Sequence, residues 1–133
     1  MGHQHVYRQY NYDLGNQLLL LRTRIALTQI ALASQLGVHR RSVQKWESGL
    51  SYPKAEMLQR LIAVFLGHHA FTPGNERAQA LALWEQAARD GPHPLPPFDE
   101  VWFARSLAQN DERRTMNDER DKRLARPTSR IQR

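Results

Sequence analysis

Residues 28–47 read TQIALASQLGVHRRSVQKWE, and this stretch decides the fold. It holds two short helical patterns separated by Gly37. Thr28 has a side-chain oxygen that can cap the start of the first helix, and glycine adopts the left-handed conformation that ends one. Ala33 lies on the inner face of the first pattern and is small enough for a second helix to cross closely. The stretch therefore predicts two helices joined by a tight turn.

The second of these helices has an apolar side and a basic side. Val38, Val43 and Trp46 are predicted to face the core. The outer side carries four long polar side chains, Arg40, Arg41, Gln44 and Lys45. Arginine and lysine can donate to guanine O6 and N7, glutamine pairs with adenine, and Ser42 or Gln44 can contact phosphate. This pattern is typical of a helix-turn-helix that enters a DNA major groove; the alternative is an ordinary pair of helices with a solvated basic face.

Apolar stripes flank this stretch on both sides. A helix over residues 12–25 places Leu14, Leu18, Leu21 and Ile25 on one face. After a turn-like loop, Pro53 suits the first turn of another helix. That helix carries apolar residues at i, i+3, i+4 and i+7, namely Leu58, Leu61, Ile62 and Phe65. The sequence thus predicts an all-α fold, a compact bundle of about five helices, with a helix-turn-helix core domain at residues 12–67.

Residues 68–109 predict a helical extension that packs on this domain. A helix is expected over residues 75–90, with packing residues Ala78, Leu81, Ala82, Trp84 and Ala88. The proline-rich segment 91–97 predicts an extended linker, and Asp99 precedes a short aromatic helix over residues 100–108. Trp84, Trp102 and Phe103 are predicted to pack back on the core. The alternative is a surface for a protein partner or a second copy of the chain.

The formal charge of +6 is unevenly distributed. Residues 1–67 hold eight Lys and Arg against three Asp and Glu, whereas residues 68–109 hold three against five. This asymmetry favours a polyanion as the partner of the first segment. Residues 1–11 are predicted to be a flexible N-terminus, and residues 110–133, with eight basic against five acidic side chains, a disordered charged tail.

Several kinds of chemistry are missing from the sequence. The chain has no cysteine, and its six histidines have no acids or thiols nearby at metal-ligand spacing, so no metal site and no cofactor are predicted. No nucleophile elbow is present, which argues against an enzyme. No apolar run approaches membrane-spanning length, and the first residues lack the apolar core of a signal peptide. The expected location is cytoplasmic, at the nucleoid, without a membrane partner.

Several short segments resemble the Cro/phage-repressor (Xre) helix-turn-helix family. They are LTQ at 27–29, LA at 32–33, LGV at 36–38, RSV at 41–43, WESG at 46–49, and Pro53. The resemblance implies a lambda-repressor-like bundle whose recognition helix runs from His39 to about Glu47. It implies DNA contacts from Gln29, His39, Arg40, Arg41, Ser42, Gln44, Lys45, Ser51 and Lys54. It also implies an ion pair between Arg22 and Glu47, while His39 stands where the family usually has a serine or threonine cap.

Later segments are similar to a bacterial subgroup of that family. They include AFTPG at 70–74, ALW at 82–84 and PFDEVWF at 97–103. In that subgroup the module lies at the N-terminus of large signalling ATPases of the NB-ARC type. The resemblance implies that this chain is a detached or truncated front end of such a switch protein. The chain itself has no phosphate-binding loop of the Gly-x-x-x-x-Gly-Lys-Ser/Thr type.

The combined patterns predict sequence-specific binding of double-stranded DNA and a role in transcription regulation. Two alternatives stay open. One is an adaptor that captures a protein partner, and the other is an antitoxin that binds both DNA and a toxin. A homodimer is also open, and its two half-sites would lie about 34–36 Å apart or a multiple of that.

Overall fold

The computed structural model describes residues 12–112, and these form helices and loops without a strand. The helices are α1 (Asp13–Arg24), α2 (Gln29–Leu36), α3 (Arg40–Glu47), α4 (Ala55–Gly67), α5 (Glu76–Asp90) and α6 (residues 100–112). The predicted all-α class is confirmed. The predicted flexible N-terminus, residues 1–11, lies outside the described residues, as do residues 113–133 of the predicted tail.

The described residues divide into two units, of which the first ends at Phe98 and the second begins at Asp99. In the first unit α3 contacts both α1 and α2, α2 also contacts α4, and α5 contacts α1 and α4. Helix α3 is therefore supported from two sides. The domain boundary expected between residues 67 and 68 falls at the end of α4, within the first unit.

The core of the first unit is built from the predicted apolar stripes. Its buried side chains include Leu14, Leu18, Leu32, Ala33, Leu36, Leu58, Leu61, Ile62 and Phe65. Full burial of a leucine, isoleucine or phenylalanine contributes about 1.5–3 kcal/mol relative to exposure. Leu21 and Ile25, at the end of the predicted α1 stripe, are only half-buried. The core thus draws on the first two turns of α1 more than on the last.

The buried face of α5 differs from the predicted one. The structure buries Ala80, Leu83, Trp84 and Ala87, and of the five predicted packing residues only Trp84 is among them. Because residues 78–83 read AQALAL, small or apolar side chains occur on both candidate faces, and spacing alone does not choose between them. Contact with α1 decides the face, and it includes a hydrogen bond from Gln17 Nε2 to Gln86 Oε1 of 3.0 Å.

Helices α1 to α4 end in the same way, with one residue in the left-handed conformation. These residues and their φ angles are Ala26 (58°), Gly37 (73°), Gly49 (79°) and His69 (60°). The amide of the next residue donates to the carbonyl five positions earlier: Leu27 to Arg22, Val38 to Ala33, Leu50 to Lys45, and Ala70 to Phe65. This Schellman pattern satisfies carbonyls that the helix itself leaves unpaired.

We expect Ala26→Gly to raise the free energy of unfolding by about 0.5–1 kcal/mol. The left-handed conformation costs an alanine about 1–2 kcal/mol, and the greater freedom of glycine in the unfolded chain cancels part of the gain. Ala26 is exposed, so the change opens no cavity. Urea unfolding measures the effect. Gly37→Ala, the reverse change at the end of α2, should lose about 1 kcal/mol, and a destabilised Ala26→Gly would show that the turn is not strained.

Helix α6 in the second unit is longer than predicted. The Asp99 carboxylate Oδ1 accepts from the amide of Trp102 at 2.9 Å and so caps the helix. The helix continues through residue 112 because residues 99–112 contain neither glycine nor proline. Residues 110–112, which were assigned to the charged tail, belong to this helix, and Asn110 is buried.

Two of the three aromatic side chains singled out in the sequence are buried. Trp84 and Phe103 are 3% and 2% exposed, and Trp102 is half-buried. Within the first unit, the Trp84 indole Nε1 donates to the Pro96 carbonyl at 2.9 Å, and its ring meets Phe98 edge to face. The proline-rich segment thus folds back on α5.

Candidate nucleic-acid interface

Helix α3 divides into an inner and an outer side. Val43 and Trp46 are buried, and the half-buried Glu47 borders them. Arg40, Arg41, Gln44 and Lys45 are all exposed. At about 100° per residue, Arg40 and Gln44 share one strip of the outer side, and Arg41 and Lys45 share the next. The helix therefore carries its three cationic side chains and Gln44 on one continuous outer arc.

The outer side chains of α3 are not engaged by their own protein. Among residues 12–112, the side chains of Arg40, Arg41, Gln44 and Lys45 make no hydrogen bond or ion pair. The one carboxylate of α3, on Glu47, is paired with Arg22, so it does not oppose the three cations of the outer side. The arc is therefore open to a polyanionic ligand.

A network around Glu47 anchors the end of α3. The Arg22 guanidinium donates to both carboxylate oxygens, from Nε to Oε2 at 2.6 Å and from Nη2 to Oε1 at 3.0 Å. Its Nη1 also donates to the Leu27 carbonyl at 2.8 Å. The two side chains are only 12% and 7% exposed. This paired geometry ties α1, the following turn and the last residue of α3 together.

Gln29 joins this network instead of standing alone. It is the first residue of α2, and its Nε2 donates to Glu47 Oε1 at 2.9 Å. The resemblance implied only a phosphate contact here. The geometry adds a structural role, because the same side chain links the start of α2 to the end of α3. Its contact with phosphate stays a prediction.

Gly15 supports α3 by close backbone contact, and sequence reasoning missed it. A Cβ at this position would lie well inside van der Waals distance of the Glu47 carbonyl oxygen and 2.8 Å from that of Trp46. Only glycine lets α1 approach the end of α3 this closely. The available signal was a glycine inside an apolar helical pattern, where it costs about 1 kcal/mol unless packing requires it.

His39 caps the start of α3. Its Nδ1 accepts from the Arg41 amide at 3.1 Å, and its carbonyl accepts from the Ser42 amide at 2.9 Å. The preferred residues for this task are serine, threonine, aspartate and asparagine, which accept through a side-chain oxygen. The imidazole replaces the usual cap here, and α3 begins sharply at Arg40.

The remaining residues that were predicted to contact DNA lie on α3 and in the loop after it. Ser51 is half-buried and Lys54 is exposed, and Ser42 on α3 is half-buried. Lys54 is the cap residue of α4, so Pro53 precedes the helix instead of lying in its first turn as predicted.

Burial raises the pKa of the Tyr52 hydroxyl, and the carboxylates of Asp90 and Asp13 raise it further. The phenol in this loop therefore stays neutral at physiological pH.

The described residues contain neither a metal-binding cluster nor a membrane span. Within residues 12–112, no group of three or more His, Cys, Asp or Glu side chains is arranged to hold a metal ion. None of the helices in that range is both long and apolar enough to cross a membrane.

The part of the chain that contains these features matches a known protein family. Residues 18–66, from α1 to the end of α4, match the family described as helix-turn-helix. A segment of 53 residues is 43% identical to the HTH-type transcriptional activator BcrR of Enterococcus faecalis. That segment covers 40% of this chain and 26% of the relative, so the match spans about a quarter of the relative's length. No solved structure matches significantly.

Proposed function

On the premise that residues 18–66 form a helix-turn-helix domain of the Cro/C1 type, we propose that this chain binds double-stranded DNA and regulates transcription. In this proposal α3 enters the major groove. The observation that carries it is the outer arc of α3, where Arg40, Arg41, Gln44 and Lys45 are exposed and unpaired among the described residues. The mechanism is docking, with no chemical step.

Base reading is assigned to the outer arc of α3. Arginine or lysine donates to the O6 and N7 acceptors of guanine, and glutamine pairs with N6 and N7 of adenine. Each good bidentate contact contributes about 1–3 kcal/mol of discrimination against the wrong base. The Arg22–Glu47 pair and Gly15 support this reading, because they hold the end of α3 in place before DNA arrives.

Phosphate contacts are assigned to the ends of the motif. Gln29 lies at the start of α2, Ser42 on the edge of the α3 arc, and Ser51 and Lys54 in the loop before α4. Such contacts set the register on the duplex without reading its sequence. A neutralised phosphate contributes about −0.9 to the slope of log affinity against log salt concentration, so binding is expected to weaken steeply with salt.

Regulation of transcription is supported by the relative's name. BcrR is called a transcriptional activator, and residues 18–66 of this chain match the helix-turn-helix family. A DNA target also implies a cytoplasmic location at the nucleoid. Few readers lie on one copy of α3, so we propose a homodimer whose half-sites lie about 34–36 Å apart or a multiple of that.

The double substitution Arg40→Ala/Arg41→Ala is expected to weaken duplex binding by about 30-fold or more. Two lost contacts of 1–3 kcal/mol each account for at least about 2 kcal/mol, which corresponds to that factor. The duplex is selected from a random pool by the wild-type chain. Fluorescence anisotropy then measures the dissociation constants of wild type and variant across a series of salt concentrations.

Arg89→Ala is the matched control for this experiment. Arg89 is exposed on α5 and pairs loosely with Asp90, so its loss changes the net charge without touching α3. Because Arg89→Ala removes one charge, it is compared with the single substitutions Arg40→Ala and Arg41→Ala. Equal losses of affinity for the three single variants would indicate a general charge effect and contradict the groove reading. A wild-type chain that selects no duplex at low salt would contradict DNA binding itself.

The adaptor at the front of an NB-ARC-type protein remains the alternative proposal. The same variants separate it from DNA binding, because an adaptor that uses another surface keeps its partner when Arg40 and Arg41 are lost. Of the three aromatic side chains predicted for a partner surface, Trp84 and Phe103 are buried and Trp102 is half-buried.

A further inference from the structure

The cap at the start of α3 determines which nitrogen of His39 carries hydrogen. Nδ1 accepts from the Arg41 amide at 3.1 Å, so this nitrogen has no hydrogen of its own. A neutral imidazole then carries its hydrogen on Nε2, which makes that atom a donor. Among residues 12–112, Nε2 of His39 has no partner. The cap therefore presents an oriented N–H group at the surface.

His39 borders a shallow recess on α3. The recess is lined by His39, Arg41, Ser42 and Lys45. Arg41 and Lys45 are one helical turn apart, and both are exposed. Three of the four lining side chains present only N–H donors, the fourth has a hydroxyl, and none has a carboxylate. The recess therefore favours a ligand with several acceptors close together.

The recess lies on the side of α3 that points away from the core. At about 100° per residue, Arg41 is about 160° around the helix from Val43 and about 140° from Trp46. Both of those side chains are buried against the bundle. The side opposite to the core is the one that reaches deepest into a groove, and residues at the start of a recognition helix contact base edges there.

We infer that this recess binds a guanine of the DNA target and that His39 is a specificity-determining residue, an inference that rests on the proposed function. Guanine presents two acceptors, N7 and O6, to the major groove. Adenine presents an acceptor and a donor, and cytosine presents a donor, so each would set an N–H group against the N–H groups of the recess. His39 thus has two connected functions, because the bond that caps α3 also fixes the donor that reads the base.

His39→Ser separates the two functions. Serine is a better helix cap than most residues, so α3 keeps its start, but its hydroxyl does not extend to where the imidazole Nε2 lies. The probes are the duplex selected by the wild-type chain and a set in which each G·C pair in turn is replaced by A·T. For the selected duplex we expect His39→Ser to bind about 5-fold or more weakly. At one position the preference for guanine over adenine should fall by the same factor.

The possible results distinguish DNA binding itself from base reading by His39 and from a purely capping role of His39. If wild type selects no duplex, the proposed function fails. If wild type binds and His39→Ser retains the same affinity and preference, His39 is only a cap and the inference fails. An equal loss on every probe indicates a phosphate contact and also overturns the assignment to guanine. Thermal unfolding should show His39→Ser at least as stable as wild type and His39→Ala less stable, which confirms that the cap was preserved in the serine variant.

Discussion

Gly15→Ala is expected to lower the free energy of unfolding by about 3 kcal/mol, although alanine is the better helix former. Forcing one extra carbon into a packed interior costs typically about 1–3 kcal/mol and sometimes more. Here the obstacle is rigid, because the new Cβ meets the backbone carbonyls of Trp46 and Glu47 instead of a side chain that can turn aside. The cost should therefore lie at the upper end, and it outweighs the gain of about 1 kcal/mol in helix propensity.

Urea unfolding followed by circular dichroism measures this change. Gly67→Ala is the matched control, since Gly67 ends α4 with open space around its Cα and should gain a few tenths of a kcal/mol up to about 1 kcal/mol as alanine. Because Gly15 abuts the end of α3, the folded fraction of Gly15→Ala should also bind the selected duplex more weakly. Equal stability of the two alanine variants would mean that α1 does not approach α3 as closely as described.

Glu47→Ala is expected to cost about 3 kcal/mol of stability. The substitution removes the partner of a guanidinium that is only 12% exposed, and it also leaves the Gln29 amide without its acceptor. Removing one partner of a buried ion pair costs about 3–5 kcal/mol of stability because the remaining charge has no counterion. The guanidinium of Arg22 is partly exposed and keeps its hydrogen bond to the Leu27 carbonyl, so the cost is expected at the lower end of this range. Urea unfolding at neutral pH measures it.

Glu56→Ala provides the comparison, since it also removes a carboxylate from an arginine. Glu56 and Arg60 are one turn apart on α4, at 3.2 Å, with side chains 82% and 54% exposed. Exposed pairs of this kind contribute about 0.3–0.5 kcal/mol. Similar losses for Glu47→Ala and Glu56→Ala would show that burial does not strengthen the Arg22 pair. Replacing both Arg22 and Glu47 by apolar residues should recover part of the loss, because no charge is then stranded.

The turn and the outer arc of α3 could be predicted from the sequence because local rules decide them. Thr28 accepts from the Ala31 amide at 3.0 Å, as its position before an apolar pattern indicates. Gly37 adopts φ 73°, as a glycine between two helical patterns predicts. The alternation of buried Val43 and Trp46 with exposed Arg40 and Arg41 follows from the helical period alone.

The features that were missed depend on contacts between distant segments. The face of α5 is chosen by α1, which the alternating alanines and leucines of α5 do not encode. Gly15 matters because of a carbonyl more than thirty residues later in the chain. His39 departs from the usual cap, and only the geometry shows that its ring nitrogen replaces a hydroxyl. The assigned DNA contacts themselves stay predictions, because they require a ligand to test them.

The side chains that hold α3 and those that face outward form separate sets. Val43 and Trp46 pack against the core, and Glu47 pairs with Arg22. The side chains of Arg40, Arg41 and Lys45 make no hydrogen bond or ion pair among the described residues. Point mutations on the outer set therefore carry little penalty for folding. Under the proposed function, substitutions in the outer set would change the DNA sequence that is bound and leave the supporting helices unchanged.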